Sequence, residues 1–315
     1  MIKSVFIVGA SGFVGSALAR RFLAEGRSVF GLARSDRTEA ALTAAGVHPV
    51  RGDLDADIAS VLAAARSADA TVYAARIAVE REPAVVRALR GCLARSGKTL
   101  IFLSGTGVFM QRTGGAWSAD SFAEDDPFTP EPLAQPRIEA EAIVRASADD
   151  GLHAMVIRPP AIWGPGDDGP VASVYRSVAQ TGAACYIGSG LAAYSNVHSD
   201  DLARLFSLAL ERGTSGALYH ASVGEIPYRW MADAVARDLN VQTRSLTMDE
   251  ASEVFGPFGA LIQSACSRSR DPRTRSELGW KPIHLDLLSQ VGEPRLRALA
   301  HPQFNQGVTH EHEHA

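Results

Sequence analysis

The chain is 315 residues long, 46% hydrophobic and 21% charged, with a formal net charge of -4. These totals describe a folded chain big enough for one large or two moderate domains, and they exclude an electrostatic footprint for nucleic acid or an anionic membrane. Cys92, Cys185 and Cys266 are too widely spaced for a disulfide framework or a zinc site, and the opening MIKSVFIVGASG lacks the apolar core of a signal peptide. No apolar run approaches the ~18 residues of a membrane span. A cytoplasmic protein with no metal, no nucleic-acid partner and no membrane partner is expected.

SVFIVG (4–9) reads as a buried strand ending in glycine. VGSALARRFLAEG (14–26) sets Val14, Leu18, Phe22 and Leu23 at helical spacing and stops at Gly26. SVFGLA (28–33) is strand again, EAALTAAG (39–46) helix, and VHPVRGDL (47–54) strand and loop. A helix around 57–66, a strand at 69–75, a helix around 83–96 and the strand KTLIFLS (98–104) follow. This alternation predicts parallel βαβ units with right-handed crossovers. A loop rich in Gly, Asp and Pro over 105–132 leads into EPLAQPRIEAEAIV (131–144), whose second half predicts a helix with Ile138, Ala142 and Ile143 on one side. LHAMVIRPP (152–160) is a sixth strand closed by a proline pair, and VHSDDLARLFSLALERG (197–213) is a helix with an acidic entry. The last hundred residues mix short elements and contain LGWKP (278–282), which predicts a smaller cap over the edge of the sheet. The tail THEHEHA (309–315) is expected to be disordered, with no physiological metal site at His310, His312 or His314.

The turn Gly9-Ala10-Ser11-Gly12-Phe13-Val14-Gly15 lies between a predicted strand and a predicted helix. Gly9 permits the tight turn, Gly12 lets a diphosphate approach the backbone, and Gly15 lets helix and strand pack closely. The free N–H groups at the helix start then face the anion, with Ser11, Phe13 and Val14 beside it. The alternative is a glycine turn with no ligand. An adenosine ribose would meet the end of the second strand, which reads GLARSDR. Arg34 and Ser35, with Arg37 behind them, offer donors to a 2′-phosphate and favour NADP over NAD. A small shift of that turn would bring Asp36 to the ribose instead, and solvated surface arginines are the plain alternative. Asp53 and Leu54, after the third strand, would meet the adenine.

In order along the chain, GASGFVG, RGDL, LSGTGVF, RIEAE, IRPPAIWGPGD and NVHSDDLA resemble the extended short-chain dehydrogenases/reductases, the branch called NAD-dependent epimerase/dehydratase. The resemblance covers about residues 1–215, and LGWKP matches the family's late segment. It implies an α/β fold, a Rossmann doubly wound parallel sheet with a smaller C-terminal substrate-binding domain. The expected division is a dinucleotide-binding domain over 1–165, with 191–222 returning to it, a substrate or cap domain over 223–300, and a tail over 301–315. It also implies that Ala74, Ala75 and Arg76 line the cofactor after the fourth strand and that Pro159 and Pro160 flank the nicotinamide.

In that superfamily a Tyr-x-x-x-Lys pair opens the helix that here contains RIEAE; the lysine binds the nicotinamide ribose and lowers the tyrosine pKa, and the tyrosine moves the proton. Here those positions hold Leu133 and Arg137, the family's Ser/Thr position holds Gly105, and no tyrosine in the chain has a lysine four residues on. Arginine can hold ribose hydroxyls but is a poor proton relay. Two residues before the acidic helix, Tyr194 and His198, are therefore candidates for the acid/base, with docking of the returning helix as the structural alternative for His198. Ser104 and Thr106 would hydrogen-bond a substrate carbonyl or else cap their turn. Trp163, Tyr175 and Tyr186 belong to a pocket wall or core. The expected function is an NADP-binding oxidoreductase acting on a small carbonyl or alcohol with a non-standard acid/base. A non-catalytic NADP(H)-binding redox sensor and a sugar-nucleotide epimerase or dehydratase are the alternatives. A small-molecule substrate is the expected partner. Family members dimerise through the helices that here span about 83–96 and 134–149, and Arg87, Arg90 and Arg95 on the first leave monomer and homodimer both open.

Overall fold

The computed structural model describes residues 2–301, so the histidine-bearing tail, with the disorder and the absent metal site expected of it, lies outside the described residues. The chain begins β1 (Ser4–Val8), α1 (Phe13–Ala24), β2 (Ser28–Ala33), α2 (Asp36–Ala44), β3 (His48–Arg51), α3 (Ile58–Ser67), β4 (Ala70–Tyr73), α4 (Glu82–Leu93), β5 (Thr99–Leu103), α5 (Gln135–Ala146) and β6 (His153–Arg158). It continues with β7 (Ala161–Trp163), α6 (Pro170–Thr181), β8 (Ala184–Ile187), β9 (Ala193–His198), α7 (Ser199–Arg212), β10 (Leu218–His220) and β11 (Gly224–Pro227). The last elements are α8 (Tyr228–Leu239), β12 (Thr243–Leu246), α9 (Met248–Gln263), α10 (Pro272–Leu278) and α11 (Pro294–Ala298).

Seven strands form one sheet in the order β10-β6-β5-β4-β1-β2-β3, and every neighbouring pair is parallel. A sheet covered on both faces buries both sides of each strand, which is why Val5, Phe6, Ile7 and Val8 are all inaccessible. Leu18, Phe22, Phe206 and Trp280 fill one layer, and Phe6, Val86, Leu89 and Val144 fill the other. Strand order reverses between β1 and β4, and this switch point opens a crevice at the carboxyl ends of the strands. It is the doubly wound Rossmann architecture.

The second lobe holds a three-stranded sheet, β11-β9-β7, and a two-stranded one, β12-β8, around Tyr175, Met231, Val235 and Cys266. Residues 197–198, read from the sequence as the start of a helix, instead end β9, where Val197 and His198 pair with Ile162 and Trp163. Within 191–222, α7 and β10 rejoin the large sheet, whereas β9 stays with the second lobe. Trp280 also returns, buried in the α1/α7 layer with its indole N–H donating to the Asp201 carbonyl at 2.9 Å.

On α5 the most buried face is not the apolar side. Ala142 is exposed and Ile138 and Ile143 are half-buried, while Ala140, Glu141 and Val144 are buried. A carboxylate faces inward because β6 supplies Arg158 to meet it. The ion pairs Arg87–Glu139 and Arg90–Asp150 tie α4 to α5 and to the turn that follows it. Among the described residues, no helix is long and apolar enough to cross a membrane.

Candidate active site

The glycine turn sits at the switch point and is built by steric exclusion. Gly9 has φ +97°, and a Cβ there would lie 2.6 Å from the Ala74 carbonyl oxygen and 2.9 Å from Ala75 N. A Cβ on Gly15 would lie 2.7 Å from the Gly9 carbonyl carbon and 2.9 Å from Ala10 Cα. Gly12 differs: its N–H donates to the Gly9 carbonyl at 3.1 Å, and a Cβ on it would meet only that oxygen, at 3.4 Å. Ser11 and Gly12 are exposed, Phe13 and Val14 half-buried. The first turn of α1 has neither a side-chain cap nor an acidic residue. Ser35 caps α2, Asp57 caps α3 and Thr247 caps α9, while α5, α6 and α8 also start without a side-chain cap or an acidic residue; what sets α1 apart is the glycine turn that precedes it. The positive end of α1 is thus left bare over a backbone cradle, which fits a diphosphate.

At the end of β2, Arg34 and Arg37 are exposed and the Ser35 hydroxyl accepts from Thr38 N at 3.2 Å. Asp36 is ion-paired with Arg51, which also reaches Glu39 at 2.6 Å. The Asp53 carboxylate closes its own turn, accepting from Asp55 N and Ala56 N at 2.6 and 3.1 Å, with Leu54 buried beside it. Ala74 N donates to the Val8 carbonyl at 2.8 Å, which ties the end of β4 to the glycine turn. Ala75 is half-buried and Arg76 exposed.

Arg137 takes up Glu82 in a two-point ion pair: Nε donates to Oε2 at 2.9 Å and Nη2 to Oε1. Glu82 is 1% exposed, and burial pushes its carboxyl above the usual range while the Arg137 hydrogen bond opposes that rise. The remaining nitrogen, Nη1, lies 4.0 Å from where a Cβ on Gly105 would stand. Leu133 is 59% exposed. The Ser104 hydroxyl donates to Glu141 at 2.5 Å, and Glu141 is itself held by Arg158, whose Nε is 2.8 Å away. Thr106 N donates to the Pro159 carbonyl at 3.0 Å, and its side-chain oxygen accepts from Ser267 at 3.0 Å. Pro159 and Pro160 are buried behind this turn.

Tyr194 lies on β9, laddered to Ser267, the residue that holds Thr106. Its phenol oxygen is buried and makes no hydrogen bond within 3.5 Å among the described residues; burial raises its pKa well above the usual value, and the neighbouring Ser267 hydroxyl opposes that rise. A groove of about 630 Å³ runs between residues 109–111 and 127–132, walled by Phe109, Met110, Phe128, Glu131 and Pro132. Met110 packs in the same cluster as Tyr194, and the charge of Glu131 acts on its phenol. Trp163 and Tyr175 are core residues and Tyr186 is half-buried beneath Arg229.

His198 faces elsewhere. Its Nδ1 accepts from Asp200 N at 3.2 Å and so caps α7, its ring meets Trp163 edge-on, and it stacks on His284 with centroids 3.9 Å apart. Burial first, then the neighbouring His284, lowers its pKa. His198, Asp200 and His284 bring ligand-type atoms within 4.8 Å of one another. Rings lying 19° from parallel direct their lone pairs side by side, not towards one ion. Each group is also engaged otherwise, His284 Nδ1 with Asp201 at 3.0 Å and Asp200 with Arg20 at 2.6 Å.

Sequence reasoning missed Glu82, Glu141, Arg158 and Ser267. For Glu141 a signal existed, since it stands one helical turn from Arg137 beside the small apolar Ala140. For Glu82 and Ser267 there was none, because their partners are 55 and 161 residues away.

The sequence pattern of the NAD dependent epimerase/dehydratase family matches residues 5–223, and the chain belongs to that family. It is 31% identical over 297 residues to an uncharacterized protein of Schizosaccharomyces pombe, covering 91% of this chain and 97% of the other. It is 29% identical over 243 residues to the 2-alkyl-3-oxoalkanoate reductase of Stenotrophomonas maltophilia, covering 71% and 72% of the two chains. The fold matches the dTDP-glucose 4,6-dehydratase DesIV of Streptomyces venezuelae, solved with NAD bound, at a TM-score of 0.73 and 21% identity, covering 96% of this chain and 98% of that one.

Proposed function

We propose that this member of the NAD dependent epimerase/dehydratase family binds NADP(H) and interconverts a small carbonyl compound and its alcohol. The observation that carries the proposal is the bare positive end of α1 over the Gly9–Gly15 turn. Bound there, the dinucleotide supplies or accepts the hydride. Arg34 and the Ser35 backbone would hold the 2′-phosphate. Asp36 is paired with Arg51, which offsets part of the repulsion its carboxylate would exert on that phosphate. Asp53 and Leu54 would border the adenine, Ala74, Ala75 and Arg76 the middle of the cofactor, and Arg137, Pro159 and Pro160 its nicotinamide end. The reductase among the relatives supports a carbonyl substrate.

The groove beside Met110 and Glu131 has the size of a small-molecule site. Tyr194 is the proposed proton carrier. The Ser104 hydroxyl donates to Glu141, the Thr106 oxygen accepts from Ser267 and His198 caps a helix, whereas the Tyr194 phenol makes no hydrogen bond within 3.5 Å among the described residues. A phenol is protonated near neutral pH, the state needed to donate to a developing alkoxide. Ser104 and Thr106 would then shape the turn that faces the substrate.

The test is NADPH and NADH binding by fluorescence for wild type and Arg34→Ala, then NADPH consumption with a panel of short ketones and 3-oxo acids for wild type and Tyr194→Phe. Expected are a selective loss of NADPH affinity in the first variant and at least about a hundredfold slower turnover in the second. Binding without turnover on any carbonyl would favour a nucleotide-sensing protein, a reading that the engaged hydroxyls of Ser104 and Thr106 also support. No binding of either nucleotide would refute both.

A further inference from the structure

A guanidinium carries a full positive charge at every accessible pH, and next to a nicotinamide that charge is not neutral in effect. Oxidised nicotinamide is cationic and reduced nicotinamide is not, so an uncompensated Arg137 would repel one and spare the other. Arg137 is compensated. Glu82, from the first turn of α4, spends both carboxylate oxygens on Nε and Nη2 and is 1% exposed, whereas Arg137 remains 29% exposed on its open side. Nη1 is left over, and it borders Gly105, where the absent side chain leaves a recess bounded by the Pro159 carbonyl. A buried carboxylate clamping the base of a guanidinium fixes its direction and cancels its charge together.

We propose that Glu82 is a positioning residue of the cofactor site, holding Arg137 so that Nη1 points into the Gly105 recess while the pair presents no net charge to the nicotinamide. The inference rests on the reading that this recess receives the nicotinamide end of NADP(H). It follows that the protein holds oxidised and reduced cofactor with similar strength because of Glu82, and that Glu82 sets this balance without touching the cofactor.

The experiment compares the dissociation constants of NADP+ and NADPH for the full chain by calorimetry, in wild type, Glu82→Gln and Glu82→Gln/Arg137→Gln. Glu82→Gln keeps one acceptor for Arg137 but removes the compensating charge, so the affinity for NADP+ should fall relative to NADPH by about fivefold or more, as expected for one extra partly screened unit charge. In the double variant both charges are gone and the ratio should return to that of wild type, even though both affinities weaken. Should Glu82→Gln not fold, Arg137→Gln reads the opposite sign: an unpaired Glu82 should favour NADP+ increasingly as pH rises and that carboxyl ionises. An unchanged ratio in Glu82→Gln, or a double variant no closer to wild type, overturns the inference and leaves NADP(H) binding standing. Failure of wild type to bind either nucleotide overturns the functional reading, and this inference with it.

Discussion

Two glycines six residues or fewer from the start of α1 should fail in opposite ways when given a single methyl group. At Gly15 an alanine Cβ would stand 2.7 Å from the Gly9 carbonyl carbon and 2.9 Å from Ala10 Cα, both backbone atoms with no rotamer to yield. The Gly9 carbonyl oxygen is nearer still, and ordinary carbon–carbon contact is about 3.5 Å, so α1 must move off the turn by about 1 Å or more. Overpacking of that kind costs about 1–3 kcal/mol, or roughly 5 °C in Tm for a chain of this size. At Gly12 the Cβ would meet one atom only, at 3.4 Å, on an exposed residue with φ -76°. Gly12→Ala should therefore fold with an unchanged Tm, yet place a methyl group where a diphosphate approaches the first turn, and weaken NADPH at least about tenfold. Thermal unfolding without nucleotide and an NADPH titration separate the two effects. If Gly12→Ala binds NADPH as wild type does, the diphosphate does not lie on this turn. If Gly15→Ala melts with wild type, the packing argument is wrong.

The buried pair Arg158–Glu141 should behave as a unit. Arg158→Met strands a buried carboxylate and should cost about 3–5 kcal/mol, whereas Arg158→Met/Glu141→Gln should recover much of it, as measured by chemical denaturation. Equal loss in the single and double variants would contradict this. His220 gives a pH dependence. Its ring is fully buried, Nδ1 donates to the Arg270 carbonyl at 3.0 Å, and burial, followed by the Arg158 charge, pushes its pKa down to about 3. Because the folded-state value lies below the unfolded one, its contribution is complete above pH ~6.5 and declines as pH falls towards 3, by about 1.4 kcal/mol per unit. His220→Gln, which can still donate to Arg270, should make the fall in Tm between about pH 7 and 5 shallower; a parallel fall in both proteins would assign the acid sensitivity elsewhere.

The large sheet was legible because its signals are local. Buried parallel strands read as short apolar runs, helices as a 3.6-residue stripe, and the glycine turn is specified by residues next to one another. Val5–Val8 and Leu18–Phe22 needed no knowledge of the rest of the chain. The site was legible only as a cradle. That Ser104 is held by Glu141, or Thr106 by Ser267, depends on contacts 37 and 161 residues apart, and a hydroxyl in sequence looks equally available whether or not it is engaged. His198 illustrates the same limit: the V-H-S-D-D run marks a helix entry, but only the fold brings His284 against its ring. The buried carboxylate on α5 has a related cause. Apolar periodicity picks out Ile138 and Ile143, and it is blind to a buried charge whose partner comes from another element.

The inner face of α5 also determines what restoring the family's missing pair would achieve. Leu133 stands on the turn before α5 and Arg137 one helical turn later, so Leu133→Tyr/Arg137→Lys recreates the spacing. A lysine there would meet Glu82, a 1% exposed carboxylate that now occupies two guanidinium nitrogens, and a compact ammonium would be drawn to it. Its charge would then be neutralised before it reached the introduced phenol, whose pKa should remain near 10. Adding Glu82→Gln removes the competitor, leaves the ammonium free to act on the phenol, and should lower that pKa by about one unit. Ultraviolet titration of the introduced phenol reads the difference directly, without a substrate. If the double variant already shows the lowered pKa, Glu82 does not control the charge at position 137, and the pair is a strut between α4 and α5.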